Sequence, residues 1–205
     1  MRYVILKKQC ELVNAGKVGL RSGQRLLNAA RLLKDKMTWT KYSYETEGKY
    51  TEIDVVISPG YDNPAHYHTL FRETFTCTTG VLSVMLNGKK MQLKPGETAV
   101  VEIGDVHSLA NDSDEDATFL TRLEPGHQGF EQSMYIVHGL AEDGLTNSDG
   151  IPSSPVHLAV LAPLMDTWLE GWLFRMAGPL LFLLSRYGKG SGAEAQLLQK
   201  YWHND

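Results

Sequence analysis

The sequence lacks features that several classes of protein require. It has only two cysteines, Cys10 and Cys77, which is too few for a disulfide framework and fits a reducing cytoplasm. It has no basic run and a formal net charge of −4, so electrostatic attraction to nucleic acid is missing. Charges and prolines interrupt its most apolar stretch, from His157 to Tyr187, well short of the roughly 20 apolar residues of a membrane-spanning helix. We therefore expect a cytoplasmic protein that neither binds nucleic acid nor spans a membrane.

Short strand patterns, separated by turn signals, fill residues 39–125. Segments rich in Val, Ile, Thr and Tyr alternate between apolar and polar residues and stop at Gly-containing turns. The clearest is Asn87-Gly88, which separates "LSVML" from "KKMQL" and predicts a β-hairpin. No segment of helical period interrupts this region. The pattern predicts an antiparallel sandwich or barrel.

Helical patterns flank the predicted barrel on both sides. Residues 1–38 form an N-terminal extension in which apolar residues recur at helical spacing, which predicts a short amphipathic helix through Leu26, Leu27, Ala30, Leu33 and Met37. Residues 126–205 form a C-terminal loop and helical region, with "GKGSG" at 188–192 as a flexible linker. A single barrel is too small to cover so apolar a C-terminal segment. We therefore expect helices that pack on protein, and a homodimer.

Two histidines and a glutamate lie close together in "HYHTLFRE". Strand alternation places His66 and His68 on one side of a strand, and Glu73 follows shortly after them. This pattern has two interpretations. The strand could be polar and face the solvent, or the three residues could be ligands of one metal ion. His107, which follows the Gly104-Asp105 turn, is a fourth candidate. Imidazole and carboxylate without a thiolate suit Fe, Mn, Ni, Co, Cu or Zn, and argue against a structural zinc site.

These residues resemble the two sequence motifs of the cupins. The first motif matches from Gly60 to Gly80, with the spacing of its histidines and glutamate unchanged, and the second matches from Gly96 to Asn111. One position departs, since Glu102 stands where cupins usually have proline. The segment after the barrel also resembles that of a group of bacterial single-domain cupins that end in apolar helices. The resemblance implies a mainly β fold, a jelly-roll β-barrel with the metal inside, and His66, His68, Glu73 and His107 as ligands of one divalent transition metal (Fe, Mn, Ni or Zn).

The predicted strands offer mostly apolar side chains to the barrel interior. We expect a pocket lined by Phe75, Cys77, Leu109 and Phe119, with Thr79 and Met85 also facing it and Arg122 as its one basic candidate. Such a pocket favours an apolar or aromatic small molecule. Among cupins, this ligand set resembles that of dioxygenases, with Glu73 as a catalytic base. An isomerase, a decarboxylase and a non-catalytic binding or sensing cupin are the alternatives. The remaining histidines are predicted to lie in loops or on helix surfaces.

Overall fold

The computed structural model describes residues 26–28, 33–147 and 149–202, in which the strands form two antiparallel sheets. In chain order the strands are β1 (Leu26–Asn28), β2 (Asp35–Lys41), β3 (Thr51–Ile57), β4 (His66–Tyr67), β5 (Arg72–Thr79), β6 (Leu82–Leu86), β7 (Lys89–Leu93), β8 (Thr98–Val101), β9 (His107–Ala110), β10 (Ala117–Glu124) and β11 (Trp168–Leu169). A short 3-10 helix, Ser43–Thr46, follows β2. The α-helices come after the barrel: α1 (Gln128–Glu142), α2 (Pro155–Met165), α3 (Trp172–Gly190) and α4 (Ala193–Tyr201).

The two sheets form a jelly-roll barrel, as predicted. The first has the strand order β1-β2-β3-β10-β5-β8, and the second has the order β11-β4-β9-β6-β7. Alternate residues of each strand point inward, as in β3, where Ile53, Val55 and Ile57 are buried. Phe75 and Phe119 from the first sheet join Val84 from the second in one hydrophobic core. The mainly β fold class is confirmed.

The turns form where the sequence predicts them. Asn87 and Gly88 both have positive φ, and they join β6 to β7 as a tight hairpin. Glu47 and Gly48 also have positive φ, between the 3-10 helix and β3. Glycine, and to a lesser degree asparagine, accepts left-handed backbone more readily than other residues, which is why Asn87-Gly88 and Gly48 suit these turns.

The helix predicted near the N-terminus is wrong for the residues that the structure describes. Leu26–Asn28 and Asp35–Lys41 are strands, and they pair in antiparallel register, with Leu27 opposite Met37. β2 also pairs with β3, so it belongs to the first sheet. Residues 1–25 and 29–32 of the predicted extension lie outside the described residues. The boundary predicted at 38/39 falls inside β2, and the division of the chain into three regions stays a prediction.

The C-terminal region is helical, as predicted. Ile136 and Leu140 of α1 pack against Val160 of α2 and Leu197 of α4 in a second hydrophobic cluster. No described helix combines the length and the apolar character needed to cross a membrane. The linker predicted at 188–192 is wrong in part, since α3 continues through Gly190 and a turn at Ser191 and Gly192 leads directly into α4.

Aromatic side chains anchor the end of the described chain to the barrel. Trp202 is buried, and its ring lies 5.2 Å from Tyr135 of α1 and 6.3 Å from Tyr42. The hydroxyls of Tyr42 and Tyr135 are 2.6 Å apart and share a hydrogen bond. The ring of Tyr42 stacks on Trp39 of β2 at 5.2 Å. The C-terminal helices are thus packed on the first sheet through α1.

Candidate metal centre

Both sheets contribute to a cluster of three histidines and one glutamate. His66 in β4 lies directly opposite His107 in β9, and His68 follows β4 by one residue. Glu73 comes from β5 in the other sheet, on the same face as buried Phe75. The potential ligand atoms of His66, His68, Glu73 and His107 all lie within 4.8 Å of one another. The residues that the sequence predicted as ligands therefore come together in space.

Backbone carbonyl groups orient the three imidazole rings. Nδ1 of His66 donates to the Pro64 carbonyl at 2.7 Å, and Nδ1 of His68 donates to the Asp166 carbonyl at 2.7 Å. Nδ1 of His107 lies 3.3 Å from the Asp105 carbonyl. A carbonyl oxygen only accepts, so these contacts place a proton on Nδ1 and leave Nε2 as the nitrogen with a lone pair in the neutral ring. Such contacts orient the histidine ligands of metal sites.

The cluster has the electrostatics of a site that needs positive charge. Burial opposes ionisation of Glu73, but the neighbouring His68 and His107 rings outweigh it and lower the pKa of Glu73. Burial also acts to lower the pKa of His68, yet the Glu73 carboxylate raises it overall. Burial and the neighbouring imidazoles of His107 and His68 lower the pKa of His66 from 6.5 to about 4. Glu73 is thus held as an anion that favours positive charge beside it, whereas His66 is held as a neutral ring.

The donor set fits a divalent transition metal. Nε2 of His68 is buried, lies 3.2 Å from Oε2 of Glu73, and has no hydrogen-bond partner among the described residues. Nε2 of His107 lies 2.9 Å from the same oxygen. Three neutral imidazoles and one carboxylate match the ligands that Fe, Mn, Ni and Zn accept, and a cation at the cluster would satisfy the unpaired nitrogen. These four residues can hold a metal ion.

The cluster opens into a cavity of about 990 Å³ between the barrel and the helices. His66, Glu73 and His107 line it, together with Phe75, Leu109 and Phe119 of the barrel. The opposite wall includes side chains of the C-terminal region, among them Phe130, Met134, Leu158, Leu161 and Phe182. The cavity therefore belongs to both parts of the chain, and its walls are mostly apolar.

Several residues predicted to face the pocket lie elsewhere. Cys77 is buried with the core, but its Sγ faces the Thr79 carbonyl at 3.6 Å and it is absent from the cavity wall. Thr79 is exposed at the end of β5, and Met85 is exposed because Val84 occupies the inward position of β6. Arg122 alternates outward from β10, and its guanidinium carbon lies 3.8 Å from the centre of the Tyr50 ring. The pocket consequently loses its one predicted basic group.

The other histidines differ in their surroundings. His127 caps α1, where its Nδ1 accepts from the Phe130 amide at 2.9 Å. His138 was predicted on a surface, which is wrong: it is buried, lines the cavity, and its Nε2 lies 3.2 Å from the buried carboxylate of Asp35. His157 is half-buried on α2. His203 lies outside the described residues.

No sequence pattern indicated two polar residues of this region, Asp166 and Asp35. Asp166 holds His68 from a position almost a hundred residues further along the chain, and no motif marks it. Asp35 is an inward-facing carboxylate in β2 that lines the cavity. Its segment was predicted to be helical from the spacing of its apolar residues. Only contacts between distant segments reveal either residue.

Residues 53–122 match the model of a family described as Cupin domain. No curated protein matches the chain. Similar solved structures include KdgF from a Halomonas species, with 15% identity over 54% of this chain and 94% of that one and a TM-score of 0.44. Others are a predicted oxalate decarboxylase from Thermotoga maritima (19% identity, 53% and 99% covered, TM-score 0.46) and a sugar phosphate isomerase from a cupin superfamily, from Silicibacter pomeroyi (24% identity, 53% and 69% covered, TM-score 0.40).

The family match covers β3 to β10, the part of the barrel that carries all four clustered residues. Its limits enclose both motifs, and the two-sheet barrel is the fold that those motifs imply. Residues 53–122 therefore form a cupin domain within the β-barrel, and helices follow it.

Proposed function

We propose that this protein is a metal-dependent enzyme of the dioxygenase type, acting on a small apolar or aromatic molecule inside the cavity. The observation that carries the proposal is the buried cluster of three histidines and a glutamate, which opens into an apolar cavity. His66, His68, Glu73 and His107 would hold one divalent transition metal. When bound there, such a metal supplies a Lewis acid and, if it is redox-active, electrons for chemistry with dioxygen.

The residues around the cluster would bind and orient the substrate. Phe75 and Phe119 meet edge to face at 6.0 Å and present an apolar wall beside His107. Apolar walls exclude water and favour a flat, uncharged substrate. Glu73 is the only carboxylate of the cluster, so it is the group that would accept and return a substrate proton.

The charge of the cavity wall supports an uncharged substrate. Lys34 is the only lysine or arginine among the described residues that line the cavity, and its Nζ donates to the Gly60 carbonyl at 2.9 Å. Asp35, Asp62 and Asp149 also line it. A phosphate or a small dicarboxylate would meet these carboxylates without a free lysine or arginine among the described lining residues to bind it. An apolar ring or diketone would not.

The test is oxygen uptake by protein loaded separately with Fe(II), Mn(II), Ni(II) and Zn(II), with a panel of catechols and enolisable diketones. We expect uptake that depends on both the metal and the substrate, with one dioxygen consumed for each substrate molecule. The matched control is the His66→Ala, His107→Ala double variant treated identically, which should show no uptake. Substrate binding to the loaded wild type without uptake or turnover would instead support a non-catalytic binding or sensing cupin. Anaerobic turnover would support an isomerase or a decarboxylase.

We further propose that the protein acts in the cytoplasm as a homodimer. The low cysteine content, with Cys77 as a buried free thiol, fits a reducing compartment. Exposed apolar side chains on α3, including Leu180 and Leu183, favour contact with a second copy.

A further inference from the structure

Asp166 is buried at the junction between α2 and β11, where its carboxylate holds the segment that follows His68. Its two oxygens accept from the Thr69 and Leu70 amides at 2.7 Å each and from the Thr69 hydroxyl at 2.7 Å. Nε1 of Trp168 donates a fourth hydrogen bond, at 2.9 Å. Asp166 is only 2% exposed, so these bonds form away from water. One carboxylate thus fixes both the backbone and a side chain of the loop between β4 and β5.

The backbone of Asp166 contacts the imidazole itself. Its carbonyl oxygen accepts from Nδ1 of His68 at 2.7 Å, which aims Nε2 of that ring at Glu73. Asp166 has φ 52° and ψ 39°, a left-handed conformation that turns the chain at the end of α2. The same residue therefore holds the His68 ring through its main chain and the following residues through its side chain.

The neighbouring strand supports the other histidine of this segment. β11 pairs with β4 in antiparallel register, so that Leu169 lies opposite His66 and Trp168 lies opposite Tyr67. The amide of Glu170 also donates to the Ala65 carbonyl at 2.9 Å. β4 is only two residues long, and its other neighbour, β9, contributes a single residue pair, His66 with His107. Much of the backbone support of His66 and His68 therefore comes from the C-terminal region.

We propose that Asp166 is a positioning residue of the metal centre, and that the segment from Asp166 to Leu169 completes that centre from outside the barrel. The inference rests on the proposed metal binding at His66, His68, Glu73 and His107. A ring that is already held in its coordinating orientation binds metal more tightly than one that must be ordered on binding. The barrel alone, without this segment, would hold the His68 carbonyl through the Gly104 amide at 2.9 Å but would leave Nδ1 of the ring without its acceptor.

The experiment measures Co(II) affinity, by competition with a chelator, for full-length variants. Asp166→Gly removes the carboxylate but keeps the left-handed backbone accessible, and Asp166→Asn keeps part of the hydrogen bonding. The control is Asp143→Asn, which weakens a comparable contact: the carboxylate of Asp143 accepts from Lys200 and Tyr201 of α4 and touches no clustered residue. Thermal unfolding of the metal-free proteins and the visible spectrum of bound Co(II) are recorded for each.

We expect Asp166→Gly to bind Co(II) about 10–100-fold more weakly, with an altered spectrum, because loss of the carboxylate frees Thr69 and Leu70 and so loosens the contact between the Asp166 carbonyl and the His68 ring. Asp166→Asn should show a smaller loss, and Asp143→Asn should keep wild-type affinity and spectrum even where it lowers the unfolding temperature. Wild-type affinity in Asp166→Gly, or equal losses in the Asp166 and Asp143 variants, would overturn the inference. If Asp166→Gly fails to fold, wild-type affinity and spectrum in Asp166→Asn would overturn it. If the wild type binds no Co(II), the metal centre fails, and the inference fails with it.

Discussion

Two buried glutamates of this protein have pKa values shifted in opposite directions. The pKa of Glu73 is lowered, because His68 and His107 more than offset the cost of burial. The pKa of Glu131 is raised from 4.5 to about 7, because burial outweighs the hydrogen bonds that its Oε1 accepts from the Ser43 amide and the Thr51 hydroxyl. Oε2 of Glu131 is buried without a partner among the described residues. Burial alone therefore does not set the charge of a carboxyl group; the charge of its partners does.

The raised pKa of Glu131 predicts a stability that falls with increasing pH. The folded protein holds the proton of Glu131 more tightly than the unfolded chain does. The protonated group therefore makes its full contribution to the free energy of unfolding below about pH 4.5, and this contribution is lost as pH rises through about 7. At about 1.4 kcal/mol per pKa unit, the loss by pH 8 is of the order of 3 kcal/mol. Glu131→Gln should remove this part of the pH dependence. Urea unfolding at pH 5, 6, 7 and 8 measures it.

Glu142→Gln, on an exposed part of the same helix, is the matched control for that experiment and should keep the wild-type pH dependence. The amide of Glu131→Gln lacks an acceptor at the Oε2 position, so its absolute stability can be lower at every pH. The difference between pH 5 and pH 8 is the informative quantity. If that difference is the same in the wild type and in Glu131→Gln, the assignment is wrong.

We predict that removing the clustered histidines one after another lowers the metal content in steps. His66→Ala leaves three of the four ligands and should lower affinity strongly, whereas His66→Ala combined with His107→Ala leaves two and should abolish binding. The barrel should stay folded, because its core consists of apolar side chains elsewhere. Elemental analysis of proteins purified without a chelator measures the metal content. His157→Ala, which changes a histidine outside the cluster, should retain wild-type content. Near-unit occupancy in the double variant would place the metal elsewhere.

At the scale of elements, positive φ explains why particular turns need glycine. Gly80, which ends the first cupin motif, has φ +71°, and a Cβ built there would lie 2.5 Å from the backbone oxygen of Asp116. Gly88 in the hairpin has a similar φ of +78° but no atom within 4 Å of a Cβ. The two glycines therefore share a backbone requirement but differ in the space around them.

Because of this difference, we predict that alanine at position 80 and alanine at position 88 lower the free energy of unfolding by unequal amounts. Gly88→Ala should lower the free energy of unfolding by about 1–2 kcal/mol, the cost of a left-handed conformation for a residue with a Cβ. Gly80→Ala should cost more, because the Asp116 backbone must also move. Chemical denaturation of both variants at one pH measures the two losses. A Gly80→Ala variant as stable as Gly88→Ala would show that the turn near Asp116 relaxes freely.

Sequence patterns predicted the elements whose signals are local. The strands between β3 and β10 alternate regularly and end at turn residues, so their existence followed from residues close in sequence. β1 and the start of β2 were mistaken for a helix, because their apolar residues also fit helical spacing and because the inward-facing Asp35 breaks the apolar alternation of β2. Their pairing with β3 depends on residues far along the chain. Local periodicity carries no information about such partners.

At the scale of the whole molecule, the metal cluster was predictable and its enclosure was not. All four clustered residues lie within two motifs whose spacing can be recognised from the amino-acid sequence alone. The far wall of the cavity, with Phe130 and Met134, comes from helices that follow the barrel, and their packing is set by contacts that no short motif records. The same holds for Asp166. The sequence thus predicts the chemistry of the centre better than the shape of the space around it.

The exposed face of α3 carries several large apolar side chains. Leu180, Leu183 and Tyr187 recur at helical spacing on one face, and they are 61%, 62% and 64% exposed. Phe182, which lines the cavity, is also 63% exposed. Large apolar side chains clustered in this way favour burial against another surface. A second copy of the chain, meeting α3 with its own α3, would bury them symmetrically.

We therefore predict a homodimer that depends on α3. Light scattering at micromolar concentration should give about twice the chain mass of 22.9 kDa. Leu183→Glu should shift the protein toward the monomer, because an ionised carboxylate in an apolar interface costs several kcal/mol. Leu145→Glu, which changes another exposed leucine away from this face, should leave the mass unchanged. A wild type that is monomeric at every concentration, or a dimer that Leu183→Glu and Leu145→Glu weaken equally, would contradict the role of α3. A dimer closed through α3 would also bring the partner's helix next to Phe182, at the wall of the cavity.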